Sequence, residues 1–340
     1  MTRILRHFSL AYVTLALGTV VSLVTWYLTG QLVERQTRAD FETQAQAAIN
    51  VIERRTQRYV DLLHGLEGLF GHDLSVSRAE FNRYITSLNL RQRFPGVRAM
   101  EFIKRVKDSE KSVYENTVRT DRSIAQNGYP DFGIKPEGTR PEYYVIHYIE
   151  PMRGNEPAFG ADIRSRDAPL AASERARDAG EPIATGVYRL IQDKYEHSGM
   201  VIYLPVYETL REKRTIEQRR SELAGFVNVV FLTKDLFVDV VDAGQHGDPM
   251  IHVHDIGPTG ADIAPPSREN LLYSSVKADS AQTIATADIE STRQLTIAGR
   301  QWLIRFGRFD SHVYPFLQPL SLFVFVTGLV IKHSVLNNAA

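Results

Sequence analysis

The 340-residue chain contains no cysteine, and its charges cancel, with 40 lysines and arginines against 40 aspartates and glutamates. Without cysteine there is neither a disulfide framework nor a thiolate metal site, so a domain outside the cytoplasm must rely on core burial alone. A net charge of zero does not favour a nucleic-acid surface, and 43% hydrophobic residues argue against disorder. We therefore expect a folded protein with no nucleic-acid partner.

The sequence also lacks the motifs that mark common catalytic sites. It holds no Gly-x-Ser-x-Gly elbow, no His-Glu-x-x-His helix and no phosphate-cradling glycine loop. His252 and His254 could share one face of a strand, but Asp255 would point the other way, so ordinary strand histidines are the simpler interpretation. Glu150 and Glu156 lack a positioned partner for acid–base chemistry. We expect no enzyme activity, no metal and no cofactor.

Two uncharged apolar runs are present, Phe8–Leu28 and Val313–Ile331. Each is long enough for a transmembrane helix, which needs roughly 20 apolar residues. Arg3 and Arg6 precede the first run and Lys332 follows the second, so the positive-inside rule predicts that both termini are cytoplasmic. A cleaved signal peptide is the alternative for the first run, although its length exceeds the usual core of roughly 7–15 residues.

These runs predict a two-pass protein of a bacterial inner membrane whose large domain lies in the periplasm. The expected parts are a cytoplasmic N-terminus (1–7), a transmembrane helix (8–28), a stalk helix (29–76), a membrane-distal module (77–221), a membrane-proximal module (222–312), a second transmembrane helix (313–331) and a cytoplasmic tail (332–340). Because so short a tail cannot form an output domain, we expect a longer parent protein or a partner to complete the signalling.

The segment Gln31–Gly71 is predicted to be one long helix, because it is free of proline and its glycines lie near its ends. It carries a seam of residues spaced three and four apart: Ile49, Ile52, Thr56, Tyr59, Leu63, Leu66 and Phe70. Such a seam needs a partner surface. A homodimer through the stalk is favoured, since the segment before Ile49 shows no comparable apolar face. Packing on the helix's own domain is the alternative.

Helix and strand signals between the two runs predict an α+β fold. Ser77 and Glu80 fit a capping box at the start of a helix. Val97–Val106 alternates as a strand does, and a helix over Ala168–Ala179 is expected to end at Gly180. Further strands are predicted at Ile183–Ile191, Met200–Tyr207 and Gly225–Phe231, and a terminal hairpin at Gln294–Phe306 with an Ala298-Gly299 turn.

Several motifs follow one another in the middle of the chain. They are Phe94–Val106, Glu150–Asp162 (EPMRGNEPAFGAD), Glu174–Gly180, Thr185–Leu190 and Gly199–Tyr207. Together they resemble the CHASE domain, the extracellular sensory domain associated with cyclases and histidine kinases. The resemblance covers about residues 80–230, and the two flanking apolar runs fit the architecture of that family.

The resemblance implies a stalk helix with two PAS-like modules and a small molecule bound in the membrane-distal one, between Ile183–Ile191 and Met200–Tyr207. Plant members of the family are cytokinin receptors. Thr185 matches a threonine of their pocket, and Tyr188 with Arg189 matches their Phe-Arg pair. The candidate ligand-binding residues are Tyr148, Glu150, Asn155, Asp162, Thr185, Tyr188, Arg189 and Tyr203.

Structural roles are the alternatives for these residues. Asp162 could cap the helix after it, Thr185 and Tyr203 could be ordinary strand residues, and Arg189 could form an internal ion pair. For the whole chain, the favoured function is the input region of a receptor of the histidine kinase or cyclic-di-GMP enzyme type. A membrane-anchored adaptor and a periplasmic hydrolase are the alternatives, and the identity of the ligand stays open.

Overall fold

The computed structural model describes residues 2–71, 74–190, 198–208, 215–237, 240, 249–276 and 284–309. Within them the fold is α+β, as predicted, with a long N-terminal helix and two antiparallel sheets. The helices are α1 (Thr2–Gly71), α2 (Arg78–Ser87), α3 (Leu90–Arg93), α4 (Lys111–Arg119), α5 (Asp167–Ala179), α6 (Ile216–Ser221) and α7 (Thr233–Leu236). The strands are β1 (Val97–Lys107), β2 (Glu142–Glu150), β3 (Ile183–Ala184), β4 (Tyr188–Arg189), β5 (Ser198–Tyr207), β6 (Leu223–Leu232), β7 (Met250–Pro258), β8 (Leu271–Ser274), β9 (Ile289–Ile297) and β10 (Arg300–Arg308).

The first apolar run and the predicted stalk form the single helix α1, whose 70 residues make a rod of about 105 Å. Between Ala16 and Gly71, α1 contains an 18-residue stretch of mean hydropathy 1.4, and none of this stretch is buried. It is the one helix among the described residues that is long and apolar enough to cross a membrane. A signal sequence near the N-terminus can have the same length and hydropathy. The second run, Val313–Ile331, lies outside the described residues, so the two-pass topology stays a prediction.

The apolar seam of α1 packs against the protein's own sheets. All seven seam residues are buried. The rings of Phe70 and Phe102 stack with centroids 4.0 Å apart, and those of Tyr59 and Phe231 are 5.6 Å apart. The segment before Ile49, in which we expected no apolar face comparable to the seam, also packs on the protein: Phe41, Ala45 and Ala48 are buried. A homodimer through the stalk stays a prediction and would have to use other faces of α1.

The first sheet has the strand order β2-β1-β6-β5, and both β3 and β4 pair with β5. β6 therefore lies between β1 and β5, with Asn228 opposite both Glu101 and Tyr203. The predicted boundary between 221 and 222 would place β6 in the proximal module, and this assignment is wrong for the strand. Sequence order misleads here because β6 returns to the middle of a sheet begun about 120 residues earlier.

The second sheet has the order β8-β7-β10-β9. The predicted hairpin is confirmed: β9 and β10 are joined at Ala298 and Gly299, whose φ angles are 44° and 71°. Positive φ at both turn residues matches the right-handed twist of the paired strands. The capping box at Ser77 is also confirmed, and Gly180 ends α5 in the left-handed conformation.

Strand β2 was not expected, because its sequence EYYVIHYIE does not alternate between apolar and polar residues. Both of its faces are buried, with Tyr144 and Ile146 in one apolar cluster and Tyr143 and Val145 in another. A strand covered on both sides reads as a continuous apolar run, which periodicity cannot distinguish from other buried structure.

The two sheets are joined at the tip of the β9–β10 hairpin. The Ala184 backbone N–H donates to the Ala298 carbonyl at 2.7 Å, and the Arg175 guanidinium donates to the Gly299 carbonyl at 3.3 Å. A single apolar cluster runs from α1 through one face of the first sheet into the second sheet. The other face of the first sheet, covered by α5, has a cluster of its own. That second face carries the candidate site.

Candidate functional site

A row of polar side chains crosses the α5-covered face of the first sheet. Glu101 on β1, Asn228 on β6 and Tyr203 on β5 lie directly opposite one another in the strand register. Directly opposed residues project from the same face of a sheet. All three are buried, with exposures of 2%, 0% and 1%. We call this set the polar row.

The polar row is flanked on both sides by apolar rows of the same face. One of them contains Ala99, Val230 and Val201, and the other contains Ile103 and Phe226. Within the row, the Asn228 Nδ2 donates to a Glu101 carboxylate oxygen at 2.8 Å. The Asn228 Oδ1 is buried and has no hydrogen-bond partner among the described residues. An unpaired buried acceptor is costly, so this face is not optimised for stability alone.

Tyr188 on β4 extends the polar row beyond Tyr203. The hydroxyls of Tyr203 and Tyr188 are hydrogen-bonded to each other. Burial raises the pKa of Tyr203 well above its ordinary value, and the neighbouring Tyr188 and Glu101 raise it further. Burial and the charge of Glu101 likewise raise the pKa of Tyr188. Both phenols are therefore protonated at neutral pH, and because one O–H is used in the bond between them, the pair offers one further O–H donor beside a carboxylate.

Thr185 lies next to this row and is 1% exposed. Its hydroxyl oxygen accepts the Val201 backbone N–H at 3.1 Å, while its own backbone N–H donates to the Val201 carbonyl at 2.9 Å. The side chain thus ties the segment after β3 to β5. For Arg189 the structure describes the backbone in β4 but not the side chain.

Asp162 lies under β2 and is 1% exposed. Its Oδ1 accepts the backbone N–H groups of Tyr144 at 2.9 Å and of Arg164 at 3.1 Å, the second as the cap of a short 3-10 helix. Burial raises the pKa of Asp162, and the two backbone hydrogen bonds act in the opposite direction. The geometry is that of a residue that joins two segments, which is the capping role left open from the sequence.

Glu150 and Asn155 lie at the strand ends, beside a groove of about 450 Å³ that Arg98 and Arg153 also line. Asn155 is 1% exposed, and its Nδ2 donates to the Pro151 carbonyl at 2.7 Å. Its Oδ1 has no partner within the described part of the chain. This groove is separate from the polar row.

Tyr148 lies on the opposite face of the sheet, toward α1. Its hydroxyl donates to the Val76 carbonyl at 2.9 Å, and its ring lies 4.8 Å from the Arg78 guanidinium carbon. Burial raises the pKa of Tyr148 to about 12. Of the eight predicted residues, the structure therefore brings Tyr188 and Tyr203 together, with Thr185 beside them, and it separates the other described side chains from this group.

The sequence interpretation missed Glu101 and Asn228, although a signal was present. In the strand VRAMEFIKRVK the face that holds Ala99 and Ile103 is interrupted by Glu101. In LAGFVNVVFL the face that holds Phe226 and Val230 is interrupted by Asn228. A polar residue on the apolar face of a strand is informative, because burying it is unfavourable without a partner.

No group of three potential metal ligands exists among the residues that the structure describes. The rings of His252 and His254 are 6.3 Å apart, and His254 Nδ1 is 3.1 Å from Asn270 Oδ1. Asp255 is held by Arg300 at 2.7 Å. Burial, with the nearby His254, lowers the pKa of His252. These contacts are those of strand residues.

Comparison with known proteins gives one family and several similar folds. The family model described as "CHASE domain" matches residues 74–273, more than half of the chain. No curated protein matches the chain. Among solved structures, Methyl-accepting Chemotaxis protein X is 14% identical with a TM-score of 0.47, covering 81% of this chain and 98% of that one.

Two further solved structures are similar at the same level. The periplasmic sensory domain of the Campylobacter jejuni chemoreceptor Tlp1 is 10% identical with a TM-score of 0.46, covering 84% of this chain and 99% of that one. The ligand-binding domain of the Pseudomonas aeruginosa PAO1 amino-acid chemoreceptor PctC, in complex with GABA, is 13% identical with a TM-score of 0.41, covering 79% and 100%.

Proposed function

The chain belongs to the CHASE domain family, and from this premise we propose that it is the ligand-sensing input region of a membrane receptor, with its small molecule bound at the polar row. The observation that carries this proposal is the burial of Glu101 and Asn228 in the middle of an apolar sheet face. A buried polar atom without a partner costs stability, and a ligand that donates to the Asn228 Oδ1 would recover part of it.

The chemistry of the row defines the class of ligand. The Glu101 carboxylate and the Asn228 Oδ1 are acceptors, so the ligand should present N–H donors. The remaining O–H of the protonated Tyr188–Tyr203 pair can donate to an acceptor on the ligand. The apolar residues on both sides suit a compact hydrocarbon or ring. We propose a small amine, amino acid or N–H-bearing heterocycle.

The test uses the full chain in lipid nanodiscs, with a panel of amino acids, amines and N–H heterocycles that includes adenine-type cytokinins. A binder at about 100 times its Kd should stabilise the fold by about 2.7 kcal/mol, which is measured as a saturating rise in Tm. Asn228→Leu should abolish the rise, whereas Val229→Ala, one residue along the same strand but on the α1 face, should retain it. The proposal fails if no compound stabilises the chain or if Asn228→Leu responds like the parent.

Signal relay is proposed to run from the row through β3 to the second sheet. Thr185 follows β3, and Ala184 is hydrogen-bonded to the hairpin turn of β9 and β10. Strand β10 ends at Arg308, shortly before the predicted second transmembrane helix. For a relay to operate, the ligand must bind two arrangements of this contact unequally. Gly299→Val, which would press a side chain against Ile183, should then alter signalling more than ligand affinity.

The remaining parts of the proposal concern placement. We propose PAS-like modules in the periplasm of a two-pass inner-membrane protein that forms a homodimer through the exposed faces of α1. Since the chain has no cysteine, one introduced residue reports cleanly on proximity. Gln57→Cys, on an exposed face of α1, should form an intermolecular disulfide in membranes. The matched variant Ile216→Cys, which is exposed on α6, should form no intermolecular disulfide under the same oxidant.

A further inference from the structure

His147 occupies a β-bulge at the edge of the first sheet, on the side away from the polar row. In the pairing of β1 with β2, Phe102 lies opposite Tyr148 and Ile103 lies opposite Ile146, which leaves His147 as the extra residue. A bulge changes the direction of a side chain and is common beside functional sites. The imidazole and the Tyr148 ring consequently lie side by side, with centroids 4.1 Å apart.

The bulge turns His147 toward a cleft of about 520 Å³ between β1, α4 and the segment before α2. Its walls are largely apolar and aromatic. The Tyr114 ring is 5.5 Å and the Phe102 ring 6.3 Å from the imidazole, and Val113 at the mouth is 72% exposed. We call this space the His147 cleft.

The imidazole of His147, which lines the cleft, uses one of its two nitrogens in a hydrogen bond with Tyr114. The Tyr114 hydroxyl lies 3.1 Å from the imidazole Nδ1. Burial raises the pKa of Tyr114, so its O–H is retained and can donate to Nδ1. Burial, together with the positive charges of Arg78 and Lys104, lowers the pKa of His147 well below its ordinary value. The ring is therefore neutral. With Tyr114 as the donor to Nδ1, the ring proton resides on Nε2, for which no partner exists among the described residues.

The charged groups around the cleft favour an anion. Arg78 is paired with Asp121 at 3.0 Å, so its charge is already compensated. Lys104 is exposed, its Nζ lies 5.9 Å from the Tyr114 ring centroid, and it forms no ion pair with any residue that the structure describes. Glu110 also lines the cleft and opposes an anion. The donors that line the cleft thus include the neutral imidazole N–H and the Lys104 ammonium group, beside several hydroxyls.

From this juxtaposition we propose that the His147 cleft is a second binding site, which takes a small carboxylate with an apolar or aromatic body. The carboxylate accepts from the His147 Nε2–H and from Lys104, and the body packs against Phe102, Tyr114 and Val113. The site is independent of the polar row, because the two lie on opposite faces of the sheet and differ in the charge that they favour. It also adjoins the end of α1, through the Tyr148 hydroxyl that holds Val76.

The experiment measures radiolabelled benzoate binding to the full chain in nanodiscs, with benzamide as an uncharged competitor of the same shape. Saturable benzoate binding that benzamide does not displace is expected. His147→Phe keeps the ring but removes the donor, and it should weaken benzoate binding by about tenfold or more. The same substitution at His64, which is exposed on α1, is the matched control and should leave the affinity unchanged.

Two variants of opposite sign test the charge argument without touching the imidazole. Lys104→Gln should weaken benzoate binding, and Glu110→Gln should strengthen it. Val113→Trp should block the cleft by filling its mouth. Asn228→Leu should have no effect, which separates this site from the polar row. The proposal is overturned if benzoate does not bind, if benzamide displaces it equally well, or if His147→Phe binds like the parent while its Tm shows a folded protein.

Discussion

The two faces of the first sheet are built from the same strands, yet they differ in composition. The α1 face contains wholly apolar rows in its interior, such as Met100, Val229 and Ile202. The α5 face carries the polar row within an otherwise apolar surface. Because side chains alternate along a strand, only one residue separates Val229 from Asn228. The difference therefore reflects which element covers each face, and not the strand as a whole.

The two faces of the first sheet therefore have different roles. The α1 face packs against the long helix, and its apolar cluster continues into the second sheet. It therefore stabilises the packing of these three elements. The α5 face retains a buried carboxylate and a buried amide inside an apolar cluster. Proteins tend to depart from stable packing at functional sites.

The largest effect is expected on the α1 face. Phe231 is fully buried against Tyr59, so Phe231→Ala should lower the free energy of unfolding by about 3–5 kcal/mol. Denaturant unfolding of the full chain, followed by circular dichroism, measures this loss. Ile216→Ala, at an exposed position, is the control and should change little. A loss below about 1 kcal/mol for Phe231→Ala would contradict the cohesive role of this face.

A smaller and asymmetric effect is expected in the polar row. Asn228→Leu removes the donor that lies 2.8 Å from Glu101 and should cost about 1–3 kcal/mol. The double variant Glu101→Leu with Asn228→Leu removes both polar partners and should be close to neutral or stabilising. A double-mutant cycle by denaturant unfolding measures the coupling. Additive losses would mean that the pair serves stability, and the contrast between the faces would not hold.

The Thr185 hydroxyl, which lies beside the polar row, should also stabilise the fold through its hydrogen bond with Val201. Thr185→Val removes the acceptor of the buried Val201 N–H and should cost about 1–2 kcal/mol, measured as a lower unfolding midpoint. Thr185→Ser keeps the hydroxyl and should recover most of that loss. If Thr185→Val is as stable as the parent, the hydroxyl is not needed by β5, and its role would shift toward direct contact with ligand.

The smallest effect concerns pH and the edge of the α1 face. The pKa of His147 is lowered in the folded state by burial, Arg78 and Lys104, so the unfolded chain binds a proton more readily. Above about pH 6.5, His147 is neutral in both states and does not reduce the free energy of unfolding. As the pH falls from there toward the folded pKa, the free energy of unfolding decreases by at most about 1.4 kcal/mol per pH unit. His147→Phe should flatten the stability profile between about pH 6.5 and 5.5, measured by denaturant unfolding at each pH.

Much of the fold was predictable because its signals are local. The seam of α1, the capping box at Ser77 and the Ala298-Gly299 turn each depend on residues within a few positions of one another. The CHASE motifs were also visible as an ordered set, and the family match confirms them. Strand β2 was missed because burial on both faces removes its alternation. The surface that packs against the α1 seam could not be derived from the sequence. An apolar seam shows that it must be buried, but it does not show which part of the protein, or which second copy, buries it.

The sequence by itself determined the long helix, the α+β class, the hairpin and the family, because these follow from periodicity, turn chemistry and motif order. Only the tertiary structure decided where the site lies. Glu101 and Asn228 are 127 positions apart and meet because β6 enters the sheet between β1 and β5. Likewise, the bulge that turns His147 into its cleft exists only in the pairing of β1 with β2. Strand neighbours are set by long-range packing, which a single sequence does not record locally.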